Sequence, residues 1–290
     1  NAPREERKKQ SAGHKRFRLT YWLVVLLALA IAVGLRIVDP PLIAKLRLQF
    51  FDAYQQVSSR FYDPELPVRI VDIDDKSLAA VGQWPWPRTT VAKLSAKLAE
   101  SGAAVVGFDI VMSESDRLSV KEALRRLPAS AALETVMAEV EAMPTGDAEF
   151  ADVLAQSNVV LGFIGVANRD GKEPKQLAGF ATAGDDPRLF VPRFPSAITS
   201  IDTLQAKAKG TGALNWVPEH DQVIRRLPLI VRVGETLLPS FTAELLRVGQ
   251  GASTFVVKSS GASGEEAFGK TTGISQVRIG RINVPTDASG

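Results

Sequence analysis

The sequence predicts an α/β fold, with a mixed or parallel sheet, flanking helices and a single transmembrane helix before them. Three observations carry this prediction. Residues 19–35 form an apolar run without a charge. Two short apolar runs at 68–73 and 103–111 flank a helical pattern at 91–100. Strand, helix and strand at this spacing are typical of a βαβ unit, whose two strands are parallel.

The net charge of +3 is unevenly distributed along the 290 residues. The first 18 residues carry seven Lys and Arg against two Glu, so the rest of the chain has a net charge of −2. The sequence therefore has no basic domain, and nucleic acid is not an expected partner. Cysteine is absent, which excludes disulfides and thiolate zinc sites.

The N-terminal region has the pattern of a membrane anchor. Residues 1–18 are predicted to be a basic cytoplasmic tail, and residues 19–38 a transmembrane helix about 30 Å long. Tyr21 and Trp22 fall where an aromatic belt lies, and the basic flank stays inside. A cleaved signal peptide is the alternative, since Ala28-Leu29-Ala30 resembles a cleavage site, but the apolar run continues past it. The lipid bilayer is thus an expected partner, and residues 39–290 are expected to be extracytoplasmic.

The following segments are assigned by their periodicity. Apolar residues at steps of three and four predict a helix over 42–61, packed on its own domain or acting as a stalk to the membrane. A buried strand is expected at 68–73, then a helix at 91–100 that Thr89 or Thr90 caps, and a strand at 103–111. Helices over 120–142 and 150–155 precede a strand at 159–166.

The C-terminal half is expected to be richer in strands. A polar loop is predicted at 168–188. Strands at 210–216 and 223–233 are expected to form a hairpin, followed by a helix at 240–248. The last predicted strands are 254–257 and 277–284.

Carboxylates cluster after the two strands of the predicted βαβ unit. They are Asp72, Asp74, Asp75, Asp109, Glu114 and Asp116. Ligands bind at the carboxyl ends of parallel strands, and oxygen clusters suit Mg²⁺ or Ca²⁺. The alternative is that these carboxylates have a structural role, because Asp favours turns and helix caps. These residues are a tentative ligand site, and whether they hold a metal stays open.

The segment Trp84-Pro85-Trp86-Pro87-Arg88 is the second candidate. Alternating prolines restrict each tryptophan to extended conformations, which gives a stiff surface for binding. Arg88 is expected to pair with Asp74 or Asp75, or to hold an anion near the helix start. The alternative is a rigid lid over the core.

Signals for catalysis are weak. Residues 264–271 match a phosphate loop, but the strand before it and the helix after it are missing from the pattern. Of the two histidines, His14 is in the tail and His220 is alone in a turn, so no catalytic residue and no cofactor are expected. Asp72-Ile73-Asp74 is similar to a phosphatase nucleophile motif, but Lys76 departs from it. A metal-dependent envelope hydrolase is the alternative function, and a structural envelope protein is another.

Several motifs together resemble the extracytoplasmic sensor family called the CHASE type 2 domain. They lie at 66–78, 82–88, 107–116, 215–216, 221–229, 239–241 and 279–287. Gln222 stands where the family usually has a glycine, so the sequence by itself does not predict a tight turn there.

The resemblance implies a sensory input domain rather than an enzyme. Family members are typically bacterial inner-membrane receptors whose cytoplasmic effector is an adenylate or guanylate cyclase, a histidine kinase or a serine/threonine kinase. By this resemblance residues 39–290 are the sensor domain, truncated at its C-terminus. A small-molecule or periplasmic signal and a second copy of the chain are the expected partners.

Overall fold

The computed structural model describes residues 20–35, 37–38, 40–59, 61, 63–219, 221–262 and 273–290. The chain divides into two compact units, residues 1–71 and residues 72–290. Each unit is described by itself. The predicted cytoplasmic tail, the phosphate-loop match and His220 lie outside the described residues.

The first unit is helical where it is described. Residues 20–35 are in a helix, and helix α1 spans Pro41–Val57. Pro41 stands in the first turn, where its missing N–H costs no hydrogen bond. None of the helices in the described part of the chain is long and apolar enough to cross a membrane. Residues 19 and 36 of the predicted span at 19–38 lie outside the described residues, so the span stays a prediction.

Many apolar side chains of the first unit are exposed, although Leu48 of α1 is buried. On α1, Leu42, Leu46 and Phe50 are 69%, 43% and 64% exposed and repeat every four residues, so they lie along one face of the helix. The strand predicted at 68–73 is wrong: these residues are irregular, and Ile70 is 91% exposed. A strand needs a hydrogen-bonded neighbour, and this segment joins none of the sheets in the described residues.

The second unit is mixed α/β. Its helices are α2 (Asp75–Val81), α3 (Arg88–Glu100), α4 (Val120–Leu124), α5 (Ala131–Glu141), α6 (Gly146–Gln156), α7 (Asp202–Gln205) and α8 (Phe241–Gly249). Its strands are β1 (Val106–Phe108), β2 (Val159–Val166), β3 (Gly179–Ala183), β4 (Arg193–Phe194), β5 (Ser196–Ile198), β6 (Gly210–Ala213), β7 (Ile230–Val233), β8 (Thr236–Pro239), β9 (Thr254–Ser259), β10 (Ile274–Ile279) and β11 (Ile282–Pro285).

The described strands form three sheets. In the first sheet, β2 pairs in parallel with β1 and β6 and antiparallel with β5. The second sheet has the order β11-β10-β9-β3, and the third has the order β4-β7-β8. Because β1 and β2 are parallel neighbours, the loops that follow them leave from the same end of the first sheet.

Helices cover the first sheet and position these loops. Val91 of α3, Phe150 of α6 and Phe108 of β1 belong to one buried cluster. Helix α8 packs on β1, β2 and β6 and also contacts β10. Glycine permits this close approach, because a Cβ on Gly212 would lie 2.5 Å from the Cα of Phe241.

A buried ion pair lies within α8, on the side that packs on β6. Arg247 donates to both carboxylate oxygens of Glu244 at 2.7 and 2.6 Å, and also to the carbonyls of Ala252 and Lys209. Burial raises the pKa of the Glu244 carboxyl, against the opposing effect of Arg247. Because both Glu244 and Arg247 have hydrogen-bond partners within the protein, we assign this ion pair a role in the packing of α8.

Several predicted elements differ from the observed ones. The helical pattern at 120–142 forms two helices, α4 and α5, because Pro128 interrupts it and the Ser130 side chain caps the second. The hairpin expected from 210–216 and 223–233 is wrong: β6 pairs with β2, while β7 pairs with β4 and β8. The predicted loop at 168–188 contains strand β3.

Candidate ligand-binding site

The segment between α2 and α3 fixes two indole rings. Gly82 ends α2 with φ at +113°, a conformation that favours glycine. The Trp86 Nε1 donates to the Gly82 carbonyl at 2.7 Å, and the ring is buried in the core. The Trp84 ring packs edge-to-face against it, with centroids 5.7 Å apart, and is only half-buried. The Trp86 indole therefore anchors the turn, while the Trp84 indole remains partly exposed.

Helix α3 begins at Arg88 rather than at the predicted caps, Thr89 or Thr90, which lie inside it. Its preceding residue, Pro87, has no side chain that can cap. Instead, Asp116 accepts the Arg88 backbone N–H at 2.9 Å. A carboxylate from a distant loop thus satisfies a free N–H and stabilises the positive end of the helix dipole.

The Arg88 side chain is held by Asp147. Its Nε donates to Asp147 Oδ1 at 3.1 Å, and the two side chains are only 11% and 10% exposed. The other oxygen, Oδ2, accepts the Asp116 backbone N–H at 2.9 Å. Arg88 also donates to the Glu114 carbonyl at 3.0 Å. These contacts tie the loop after β1 to α3 and α6. The predicted pairing of Arg88 with Asp74 or Asp75 is not observed.

Sequence reasoning missed Asp147. The available signal was the start of α6, where the Thr145 side chain caps the helix and Asp147 lies in the first turn. Such a pattern is typical of any helix start. A side chain at Gly146 would crowd this network, because a Cβ there would lie 2.8 Å from Asp116 Oδ2, which accepts the Arg88 N–H.

The indoles and the loop after β1 enclose a cavity of about 240 Å³, here called the tryptophan cavity. Its lining comprises Trp84, Pro85, Trp86, Arg88 and residues 110–118. Glu114 and Arg117 form an exposed ion pair at 3.3 Å on this lining. The cavity thus combines an aromatic wall with charges of both signs, which suits a small amphipathic ligand.

Five of the predicted site residues line this cavity. They are Trp84, Trp86, Arg88, Glu114 and Asp116. The other four, Asp72, Asp74, Asp75 and Asp109, lie outside its lining and are exposed.

Asp74 has a structural role. Its carboxylate accepts from the Ser77 hydroxyl at 2.7 Å and from the Ser77 backbone N–H at 2.9 Å, which caps α2. These two hydrogen bonds lower the pKa of Asp74. Within the described ranges, no group of three or more His, Asp or Glu side chains is arranged to hold a metal ion.

The comparisons with known proteins give a family. The CHASE2 domain family model matches residues 23–290. The chain belongs to this family. CHASE2 domains are extracytoplasmic sensory domains without catalytic activity. No curated protein and no solved structure matches the chain.

Proposed function

We propose that this CHASE2 chain is the signal-binding part of a bacterial inner-membrane receptor and that the tryptophan cavity is its ligand site. The single observation that carries the proposal is the cavity itself. Small-molecule sites are usually largely preformed recesses, and here two fixed indoles and a network around Arg88 provide one. The ligand stacks on Trp84 and pairs with the charges of Glu114 and Arg117.

Binding would act on the loop after β1. This loop is held at Asp116, which contacts the start of α3 and Asp147. A ligand changes the balance between two loop arrangements only by its differential affinity for them. In the intact receptor that change would regulate a cytoplasmic cyclase or kinase.

A thermal-shift screen of small molecules tests the ligand site. Compounds that raise the melting temperature of the chain should lose this effect in Trp84→Ala, because its half-buried ring forms the wall of the cavity. Trp216→Ala removes an exposed indole that does not line this cavity and is the matched control. Stabilising compounds whose effect survives in Trp84→Ala would contradict the assignment.

The proposal includes a homodimer in the membrane, with residues 19–38 as the anchor and the exposed face of α1 at the twofold axis. Support comes from the apolar residues on that face, Leu42, Leu46 and Phe50, since a second copy would cover them identically. The charge-free run at 19–35 and the basic tail before it support the anchor.

Crosslinking tests the dimer cleanly because the chain has no cysteine. Cysteines introduced at Gln49 or Gln56 on α1 should trap dimers in membranes. Leu46→Ala with Phe50→Ala should alter basal effector output and reduce crosslinking. A strictly monomeric receptor with normal signalling would refute this mechanism, and activity of a cytoplasmic reporter fused after Gly290 would refute the orientation.

A further inference from the structure

A second cavity lies beside the tryptophan cavity, and residues of one short loop line both. It has a volume of about 480 Å³. Ser113 and Ser115, in the loop after β1, line this second cavity as well as the first. Its remaining lining comprises residues 170–172 and residues 197–203. The cavity is here called the hydroxyl cavity.

Two backbone segments that line the hydroxyl cavity pack closely against each other. Lys172 and Ala197 exchange two backbone hydrogen bonds, each 2.8 Å long. Gly171 makes this approach possible, because a Cβ there would lie 2.4 Å from the Ala197 carbonyl oxygen. The Lys172 Nζ then lies 3.2 Å from both carboxylate oxygens of Asp202. The backbone beside Lys172 is thus fixed before any ligand arrives, whereas the ion pair itself is exposed to solvent.

Five of the twelve lining residues carry hydroxyl groups. They belong to Ser113, Ser115, Thr199, Ser200 and Thr203. Thr199 and Ser200 are buried. Thr199 accepts from the Gln205 amide and Ser200 accepts from the Met112 N–H, so neither hydroxyl hydrogen is used in these bonds.

The charges of the lining narrow the ligand class. Asp170 and Asp202 outweigh Lys172, so the lining is net negative and disfavours an anion. Hydroxyls that donate and accept would be left unpaired by an apolar ligand. A molecule with many hydroxyls of its own matches both features, because carboxylates are strong acceptors for ligand O–H groups.

We propose that the hydroxyl cavity binds a neutral polyhydroxylated molecule of the monosaccharide class and that this ligand acts on the wall of the tryptophan cavity. The binding claim stands by itself, and the coupling claim rests on the proposed function. Coupling follows from the shared loop. Met112 donates its N–H to the Ser200 hydroxyl at 3.1 Å and accepts from the Ile201 N–H at 2.9 Å.

The test uses the full chain with Trp22→Phe and Trp216→Phe, so that Trp84 and Trp86 alone report. Glucose, galactose and myo-inositol are titrated by calorimetry and by tryptophan fluorescence, with glutamate and putrescine as charged competitors. At least one polyol should bind saturably and change the fluorescence. Thr203→Val should weaken binding about tenfold through one lost hydrogen bond. Thr242→Val, which removes an exposed hydroxyl on α8, should leave affinity unchanged.

Each result decides a separate claim. No saturable polyol binding up to roughly 10 mM, or binding of glutamate or putrescine alone, overturns the ligand class. Binding that Thr203→Val leaves unchanged overturns the location. Binding that calorimetry detects without a fluorescence change overturns the coupling claim, but the claim that the hydroxyl cavity binds a polyol survives. Because Trp84 does not line the hydroxyl cavity, Trp84→Ala should keep saturable polyol binding in calorimetry even where it abolishes binding in the tryptophan cavity, so the two failures are distinguishable.

Discussion

Replacing Asp147 with Ala should strongly destabilise the second unit. The substitution removes the carboxylate that accepts from Arg88 Nε and from the Asp116 N–H. Leaving a largely buried cation without its partner costs about 3–5 kcal/mol. The lower end applies here, because Arg88 keeps the Glu114 carbonyl as an acceptor. The lost hydrogen bond at Asp116 adds about 1 kcal/mol, so the expected decrease in unfolding free energy is about 4 kcal/mol.

Urea denaturation measures this loss. Tryptophan fluorescence is followed in the variant with Trp22→Phe and Trp216→Phe, which retains only Trp84 and Trp86. Trp86 is a suitable reporter because it is buried in the same cluster as Phe150 of α6, the helix that carries Asp147. At a slope of about 2 kcal/mol per molar, the midpoint should fall by about 2 M. Asp152→Ala is the matched control, because it removes an exposed carboxylate from the same helix. It should change the stability by less than about 0.5 kcal/mol.

A double variant separates the charge from the packing. Arg88→Met combined with Asp147→Ala removes both charges, so its cost should be smaller than the sum of the two single costs. If Asp147→Ala shifts the midpoint no more than Asp152→Ala does, the buried ion pair does not stabilise the loop after β1. The account of the candidate site would then be wrong.

Three further changes test the fold. The Arg225 guanidinium lowers the pKa of Asp221 from 3.8 to about 2. The stability difference between the native chain and Asp221→Asn should therefore be constant above about pH 5, decrease as the pH falls through 2 and vanish near pH 1, as measured by urea midpoints. Gly212→Ala should cost about 1–3 kcal/mol because its Cβ meets α8 backbone, whereas Gly249→Ala meets only a side chain at 3.2 Å and should be tolerated. Gln222 has φ at +65°, so Gln222→Gly should raise the melting temperature, and an unchanged or lower value would contradict the strained turn.

The family was predictable because its motifs are local. The segment from Gly82 to Arg88, with its two prolines, restricts the backbone whatever lies around it. Local rules also predicted α3, α8 and β2 well: β2 spans Val159–Val166 as expected, and the Ser240 side chain caps α8.

The partners of each strand were less predictable. The hairpin expected between 210–216 and 223–233 failed because β6 and β7 join different sheets. Short strands such as β4 and β5, of two and three residues, exist only because a neighbour supplies their hydrogen bonds. The apolar run at 68–73 shows the reverse case, since it has a strand's composition and pairs with none of the described strands.

By itself the sequence determined the family, the α/β class, the stiff tryptophan turn and five residues that line the tryptophan cavity. The tertiary structure decided what the charges do. Asp74 caps the helix that follows it directly, through a hydrogen bond to Ser77, three residues later. Asp116, by contrast, caps a helix that begins 28 residues earlier in the sequence, at Arg88. Asp147 lies 59 residues from Arg88 and reaches it only through the packing of α6 on α3. Local spacing specifies backbone conformation and short-range caps, but pairing between distant charges depends on how the helices pack.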